Sequence, residues 1–242
     1  MKFIHFLVIS LFAMFLFSCS DNQKTTDETT GKDSVATQDE SAANIEGQRY
    51  GVKSGIVYYE PFDMMGIKTS QVLYFDDYGK KEARETITEG TIMGMKTKKR
   101  SINIIDGKYS ISFDLENITN NKDELKKVAT RMDMSNNPFA QFDMSAMGEK
   151  MKEEFDYKEE GTEEVAGVTG TKYSIKMSKE AKERISGVMY KNISLKVDMG
   201  QIKMVASKFE ENVTVPESIF SVPADYKIEE VDPFAGVNQM GE

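Results

Sequence analysis

Residues 100–115 read RSINIIDGKYSISFDL, and they predict a β-hairpin more clearly than any other part of the chain. Two runs rich in β-branched and aromatic residues, Arg100 to Ile105 and Lys108 to Leu115, flank the dipeptide Asp106-Gly107. An Asp-Gly pair between two such runs is a strong short-range hairpin signal, because both residues tolerate a positive φ. The segment therefore predicts an antiparallel sheet.

Similar signals extend outward from this hairpin in both directions. On the N-terminal side, Thr69 to Phe75 and Ala83 to Thr88 flank a turn at Asp76-Asp77-Tyr78-Gly79, and Tyr50 to Glu60 is rich in β-branched and aromatic residues. On the C-terminal side, the predicted strands are Tyr157 to Val165, Thr171 to Met177, Ser186 to Tyr190, Ile193 to Met199 and Ile202 to Phe209. The pattern predicts a mainly antiparallel β-domain.

Two amphipathic helices are predicted in the middle of the chain. The apolar residues that would share a helical face are Leu125, Val128, Ala129 and Met132 within Lys122 to Met132, and Met144, Met147, Met151 and Phe155 in the segment that follows. A single helical turn is predicted at Pro216 to Phe220. With these helices the expected fold class is α+β.

The first nineteen residues predict an export signal that ends at a lipid-modified cysteine. Lys2 precedes an apolar run from Phe3 to Phe17, which is about 22 Å long as a helix and too short for a bilayer core of about 30 Å. The run continues into Leu16-Phe17-Ser18-Cys19, which resembles the lipobox of bacterial lipoproteins. The resemblance implies cleavage before Cys19, a diacylglyceryl group on its thiol, an acylated amine and, with Ser20 next, an outer-membrane location.

The expected organisation is a signal peptide at 1–18, a lipidated cysteine with a tether at 19–48, and one β-rich domain at 49–242. The tether is polar and poor in large apolar residues, so it cannot bury enough surface to offset its ordering entropy. Two or more acyl chains are needed for stable membrane anchoring. The expected partner is therefore a membrane, reached through lipid on Cys19.

Composition excludes several kinds of chemistry from the expected mature chain. Removing residues 1–18 removes the one histidine, His5, and the chain has one cysteine and no tryptophan. No Ser-His-Asp triad and no zinc site of His and Cys can then form. The loss of Lys2 takes the net charge from -9 to -10, which disfavours nucleic acid as a partner because DNA affinity comes from Lys and Arg.

The C-terminal part carries a resemblance to a family. The matching residues are Tyr190-Lys191-Asn192-Ile193-Ser194-Leu195-Lys196, Gly200, Ala206 to Val213, Pro216, Phe220, Val222-Pro223-Ala224 and Tyr226, with Tyr74 to Glu82 earlier in the chain. This pattern resembles an uncharacterised envelope family that is similar to the lipoprotein carriers LolA and LolB. The resemblance implies an incomplete, half-open β-barrel with helices across its concave face, and a cavity for acyl chains.

The resulting hypothesis is a non-enzymatic, lipid-anchored envelope protein that binds an acyl chain or a lipoprotein segment. The candidate ligand-binding residues are Leu125, Val128, Met132, Met144, Met147, Met151 and Phe155. Two alternatives stay open: a structural or interaction protein with a filled core, and a Cu(I) protein using methionine pairs such as Met93-x-Met95, since soft thioethers select Cu(I).

The charged residues indicate no catalytic site, metal site or cofactor. Adjacent carboxylates such as Glu159-Glu160 and Glu163-Glu164 would point to opposite faces of a strand, which favours a solvated surface over acid–base catalysis. The basic run Lys96-Thr97-Lys98-Lys99-Arg100 indicates either a strand edge protected by charge or a contact with anionic lipid headgroups.

Overall fold

A computed structural model describes residues 48–135, 149–176, 178 and 181–232. Within these ranges the regular secondary structure is almost entirely β-strand. The strands are β1 (Gly55–Tyr59), β2 (Phe62–Met64), β3 (Ile67–Asp76), β4 (Lys81–Ile92), β5 (Met95–Asp106), β6 (Tyr109–Thr119), β7 (Lys122–Asp123), β8 (Val128–Asp133), β9 (Lys158–Val165), β10 (Val168–Ile175), β11 (Ile185–Tyr190), β12 (Ile193–Asp198), β13 (Lys203–Glu211) and β14 (Lys227–Val231). The helical elements are α1 (Glu149–Glu154) and short 3₁₀ turns at Asp77–Gly79 and Glu217–Phe220.

All of these strands belong to one open sheet. Its order is β14-β8-β6-β5-β4-β3-β1-β13-β12-β11-β10-β9, with β2 paired to β3 and β7 paired to β6. Every pairing is antiparallel except that of β14 with β8, which is parallel. The predicted hairpin at 100–115 is confirmed, with Asp106 opposite Tyr109, and so is the helical turn before Phe220.

The expected α+β class, with helices across a concave face, is wrong. The segment Lys122 to Met132 contains β7 and β8 instead of a helix. Of the second predicted helix, only α1 lies in the part of the chain that the structure describes, and Met144 and Met147 lie outside it. The described residues therefore form an all-β sheet rather than a half-barrel with helices across it.

The reason for the first error is visible in β8. Ala129 is fully buried and pairs with Phe113 of β6, while its neighbours Val128 and Thr130 point to the other face. An apolar residue every three or four positions is also compatible with a short strand, and pairing on both sides of β8 decides in favour of the strand.

One core cluster lies on the face of the sheet that carries Val57 and Leu73. The register places Val57 of β1 directly between Leu73 of β3 and Phe209 of β13, and Ile193, Leu195 and Val197 continue this cluster along β12. We call this side of the sheet the inner face. Apolar residues thus fill the inner face around β1, β3, β12 and β13.

The second core cluster lies on the opposite, outer face of β4, β5, β6 and β8. It consists of Ala83, Ile102, Ile104, Phe113 and Ala129. The segment 215–226 covers it through Ile219, Phe220, Val222 and Tyr226. The Tyr226 hydroxyl donates a 2.6 Å hydrogen bond to the carbonyl of Asp114, and its ring lies 5.5 Å from that of Phe113. The two halves of the sheet therefore bury apolar residues on opposite faces.

The chain enters the sheet beside the turn between β3 and β4. The backbone amides of Arg49 and Tyr50 both donate to the carbonyl of Tyr78, at 2.9 and 3.0 Å. The ten residues of β3 then span about 30 Å to the other end of the sheet. The predicted tether would therefore join the domain at the end of the sheet that contains the β3–β4 turn, which we call the turn end. The turn between β2 and β3 lies at the opposite end.

Candidate functional site

The structure does not gather the described candidate residues at one place in the sheet. Val128 and Met132 lie on β8, close to one edge, and Leu125 lies half-buried in the loop before it. Phe155 follows α1, and its carbonyl accepts a hydrogen bond from the amide of Lys176, just beyond β10 near the other edge. Met151 lies in α1. Their role in binding a ligand stays a prediction.

Unlike the dispersed candidate residues, a set of polar side chains forms a continuous area on the inner face of β3, β4, β5, β6 and β8. The register places small hydroxyl and amide side chains opposite one another in successive rows. We call this area the hydroxyl face, defined by Thr69, Thr86, Thr88, Ser101, Asn103, Ser110, Ser112 and Thr130. All eight side chains are partly or fully exposed.

Hydrogen bonds order the middle of the hydroxyl face. The Asn103 amide nitrogen donates to the hydroxyls of Ser110 and Ser112, each at 2.8 Å. The Ser101 hydroxyl donates to the carboxylate of Asp114 at 2.9 Å, and the Lys99 ammonium lies 3.1 Å from the other oxygen of that carboxylate. The side chains keep unused lone pairs and protons, so the face can exchange hydrogen bonds with an extended polar partner.

Arg84 marks the border between the hydroxyl face and the apolar cluster. Its guanidinium donates to the side-chain oxygen of buried Gln71 at 3.2 Å and lies 5.9 Å from the ring centre of Tyr59. No partner for its Nη2 is found among the described residues. Burial raises the pKa of Tyr59 to about 12, an effect that Arg84 opposes and Glu82 reinforces. Tyr59 is therefore neutral and donates to the carbonyl of Ser194 at 2.8 Å.

A buried ion pair lies beside this border. Glu82, only 2 % exposed, accepts a 2.6 Å hydrogen bond from the Tyr50 hydroxyl and lies 3.2 Å from Nη1 of Arg49. Arg49 also donates through Nε to the carbonyl of Gly79 at 2.6 Å. Burial, followed by the charge of Glu82, raises the pKa of Tyr50 well above its ordinary value. This group ties the start of the domain to the turn between β3 and β4.

Sequence reasoning did not single out this ion pair or the hydroxyl face. The available signal was the alternation along β4, where Glu82, Arg84, Thr86 and Thr88 occupy successive inner positions. That pattern looks like an ordinary solvent-facing strand. Only the pairing of β3, β4 and β5 shows that Glu82 lies between Phe75 and Ile105 and that Arg84 lies beside Leu73. Thr86 and Thr88 pair with polar residues on both sides.

Within the described ranges, no set of three or more His, Cys, Asp or Glu side chains is placed to hold a metal ion. No helix there is both long enough and apolar enough to cross a bilayer.

Comparisons with known proteins returned similarities only to solved structures. No family model and no curated protein matches the chain. An uncharacterised conserved protein from Thermus thermophilus aligns over 74% of this chain and 91% of its own, at 9% identity and a TM-score of 0.47. MucB in complex with MucA(peri) aligns over 74% and 57%, at 11% identity and a TM-score of 0.37.

The complex of MucA and MucB from Pseudomonas aeruginosa gives a similar result, with 13% identity, a TM-score of 0.38, and coverage of 74% of this chain and 58% of that one. The chain thus spans somewhat more than half of the MucB chains that it matches. All three TM-scores lie below 0.5, so these similarities carry no argument about function.

Proposed function

We propose that this protein is a non-enzymatic envelope protein, held on the outer membrane by lipid on Cys19, that binds a partner protein on its hydroxyl face. The observation that carries the proposal is the division of the inner face. Its apolar half is filled by buried side chains, and its polar half presents partly exposed Ser, Thr and Asn. An acyl chain would need an apolar lining, because hydrocarbon offers no hydrogen bonds to such groups.

The anchor is supported by the sequence alone. An apolar run that stops at Cys19 matches the spacing of a lipobox, and nothing else in the composition requires a lone cysteine there. A domain held near a membrane in this way meets partners at a high effective concentration, so a weak, polar recognition surface is sufficient. Ser and Asn supply adaptable hydrogen bonding at such surfaces.

Photo-cross-linking in intact cells tests the hydroxyl face. A photoreactive amino acid at Ser112 or at Thr88 should give a discrete adduct with the mass of a protein partner. The same group at Thr171, which is exposed on β10 in the other half of the sheet, should give little or none. Equal adducts at all three positions, no adduct, or an adduct without added protein mass would contradict the proposal.

Mass analysis of the protein extracted from membranes tests both the lipid attachment at Cys19 and the expected absence of a bound acyl ligand. We expect the mass of a chain that begins at Cys19 and carries acyl groups, with no further lipid bound in a native spectrum. The Cys19→Ala variant should keep residues 1–18 and carry no acyl groups, because cleavage and acylation both depend on that thiol. A stoichiometric fatty acid or lipid that stays bound to the intact protein would favour the acyl-carrier hypothesis instead.

A further inference from the structure

Two neighbouring hairpins carry exposed methionines at their turns. Met65-Gly66 connects β2 to β3, and Met93-Gly94 connects β4 to β5. In each turn both central residues have a positive φ: 56° and 83° in the first, 50° and 81° in the second. The Met65 side chain is 92 % exposed and that of Met93 is 86 % exposed.

Methionine is an unusual choice for this position. Two-residue turns with positive φ favour Asn, Asp or Gly, since a larger side chain raises the conformational free energy there. The turn Asn120-Asn121 between β6 and β7, at the same end of the sheet, has the favoured residues. The equivalent position has Ala166 between β9 and β10 and Lys191 between β11 and β12. Met65 and Met93 differ from these residues in exposing a large apolar side chain.

The two turns lie side by side. Ile67 at the start of β3 pairs with Gly90 near the end of β4, and a Cβ on Gly90 would lie only 2.5 Å from the carbonyl oxygen of Gly66. Gly90 therefore permits close packing of the two hairpins. We call the result the methionine tips, defined by Met64, Met65, Ile67, Ile92, Met93 and Met95.

Positive charge lies next to the methionine tips. Lys68 follows the first turn and Lys96 follows the second, and neither has an ion-pair partner among the described residues. Lys98 and Lys99, farther from the tips, are paired with Glu116 and Asp114 at 3.1 Å. The carboxylates at this end include Asp63 and Glu89, which lie directly opposite Lys68 on its two neighbouring strands. Asp63 accepts from the amide of Gly66, and Asp123 accepts from that of Leu125.

We propose that the methionine tips insert into the interfacial region of an anionic lipid bilayer. Flexible apolar side chains flanked by lysines are suited to this region, where the apolar groups leave water and the ammonium groups meet lipid phosphates. Methionine also adapts its shape to an irregular surface. The proposal adds a second membrane contact to the lipid anchor on Cys19. It rests on the proposed function only for that anchor and the tether that follows it.

The predicted tether is long enough for this contact. The chain enters the sheet at the turn end, about 30 Å from the methionine tips along β3. The residues between Cys19 and Gln48 could span up to about 95 Å when extended. A lipid on Cys19 would therefore allow the domain to turn its tips towards the same bilayer, at a high effective concentration.

The absence of tryptophan from the chain permits a direct test with single-tryptophan reporters. The variants are Met65→Trp and Met93→Trp, with Asn120→Trp as the control at the neighbouring polar turn and Asn192→Trp as the control at the turn end. The full chain is reconstituted into vesicles of phosphatidylethanolamine and phosphatidylglycerol, with and without brominated acyl chains. We expect a blue-shifted emission and a several-fold stronger bromine quenching in the two methionine variants than in either control.

Each other outcome contradicts the proposal. Quenching that is absent, or equal in all four variants, would rule out insertion of these tips. A blue shift without bromine quenching would mean that a protein, either a partner or a second copy, covers them. The same vesicles added to a chain that begins at residue 20, without the apolar run and without Cys19, measure insertion of the tips without an anchor. Failure of lipidation at Cys19, seen in the mass of the reconstituted chain, is therefore distinguishable from failure of the tips to insert.

Discussion

Replacing Phe75 with alanine is expected to lower the free energy of unfolding by about 3–5 kcal/mol, in the range for Phe→Ala in a packed core. The Phe75 side chain is fully buried on the inner face, and its ring centre lies 4.7 Å from that of Tyr50. Opposite it in β1 is Gly55, where an added Cβ would lie 2.7 Å from the tip of the Phe75 ring. Because glycine has no side chain that could fill the void, the cavity should persist.

Equilibrium unfolding in urea, followed by circular dichroism, measures this effect. Met65→Ala is the matched control for truncation of a large apolar side chain, and it should leave stability nearly unchanged because Met65 is exposed. The double variant Gly55→Ala/Phe75→Ala should lose less than the sum of the two single variants, because truncation of Phe75 removes the clash between its ring and the new methyl group. The 2.8 Å contact of that methyl group with the Glu210 carbonyl oxygen is common to the Gly55→Ala variant and the double variant. Additive losses would mean that the two residues do not share a cavity.

Replacing Glu82 with leucine is expected to cost a comparable 3–5 kcal/mol, because it leaves the buried charge of Arg49 without its partner. Glu82 and Arg49 are both almost inaccessible to solvent, with their side-chain atoms 3.2 Å apart. The substitution also removes the acceptor of the Tyr50 hydroxyl. The Arg49 guanidinium and the Tyr50 hydroxyl, which tie the start of the domain to the β3–β4 turn, would therefore lose their common contact.

A second substitution tests whether the cost comes from the orphaned charge. The double variant Arg49→Met/Glu82→Leu should recover much of the stability that Glu82→Leu loses, because a buried ion pair can often be replaced by apolar residues of similar volume. Glu89→Gln serves as the control, since Glu89 and Lys98 are half-exposed and 3.9 Å apart, and it should change stability little. A Glu82→Leu variant as stable as the parent chain would show that the ion pair contributes nothing.

The sequence predicted most of the strands because their signals are local. Asp106-Gly107 sets a turn between two runs of β-branched residues, and the hairpin forms there with Asp106 opposite Tyr109. The predicted meander from Ser186 to Phe209 appears as β11, β12 and β13 for the same reason. Such features depend on turn chemistry and alternation over a few residues.

The prediction failed where local signals were ambiguous. Leu125, Val128 and Met132 have helical spacing, but Val128 and Met132 lie in a strand that pairs with β6 on one side and β14 on the other. The partner strand β14 is nearly a hundred residues away in the chain, and the sequence around Val128 has no feature that indicates this parallel pairing. The first of the two helices expected to line the pocket is therefore a strand, and the role of its residues in binding a ligand stays a prediction.

The candidate surfaces show the same division between local and distant information. The exposed methionines at Met65 and Met93 stand beside glycines in the sequence, yet only the pairing of Ile67 with Gly90 shows that the two turns are neighbours. Likewise Arg49 and Glu82 are ordinary charged residues in the sequence. Their burial depends on the packing of the first residues of the domain against the β3–β4 turn, which the sequence does not indicate.

By itself, the sequence determined that this domain is rich in antiparallel strands and where most of its hairpins turn. It also determined that the chain after residue 18 has no histidine and one cysteine, which leaves no Ser-His-Asp triad and no zinc site of His and Cys. Turn geometry and alternation are properties of neighbouring residues, so they can be read locally. Only the tertiary structure decided that the strands form one open sheet, that its two halves bury opposite faces, and that polar side chains form a continuous face. Those features depend on pairing between distant segments, because the burial of each side chain is set by strands far away in the chain.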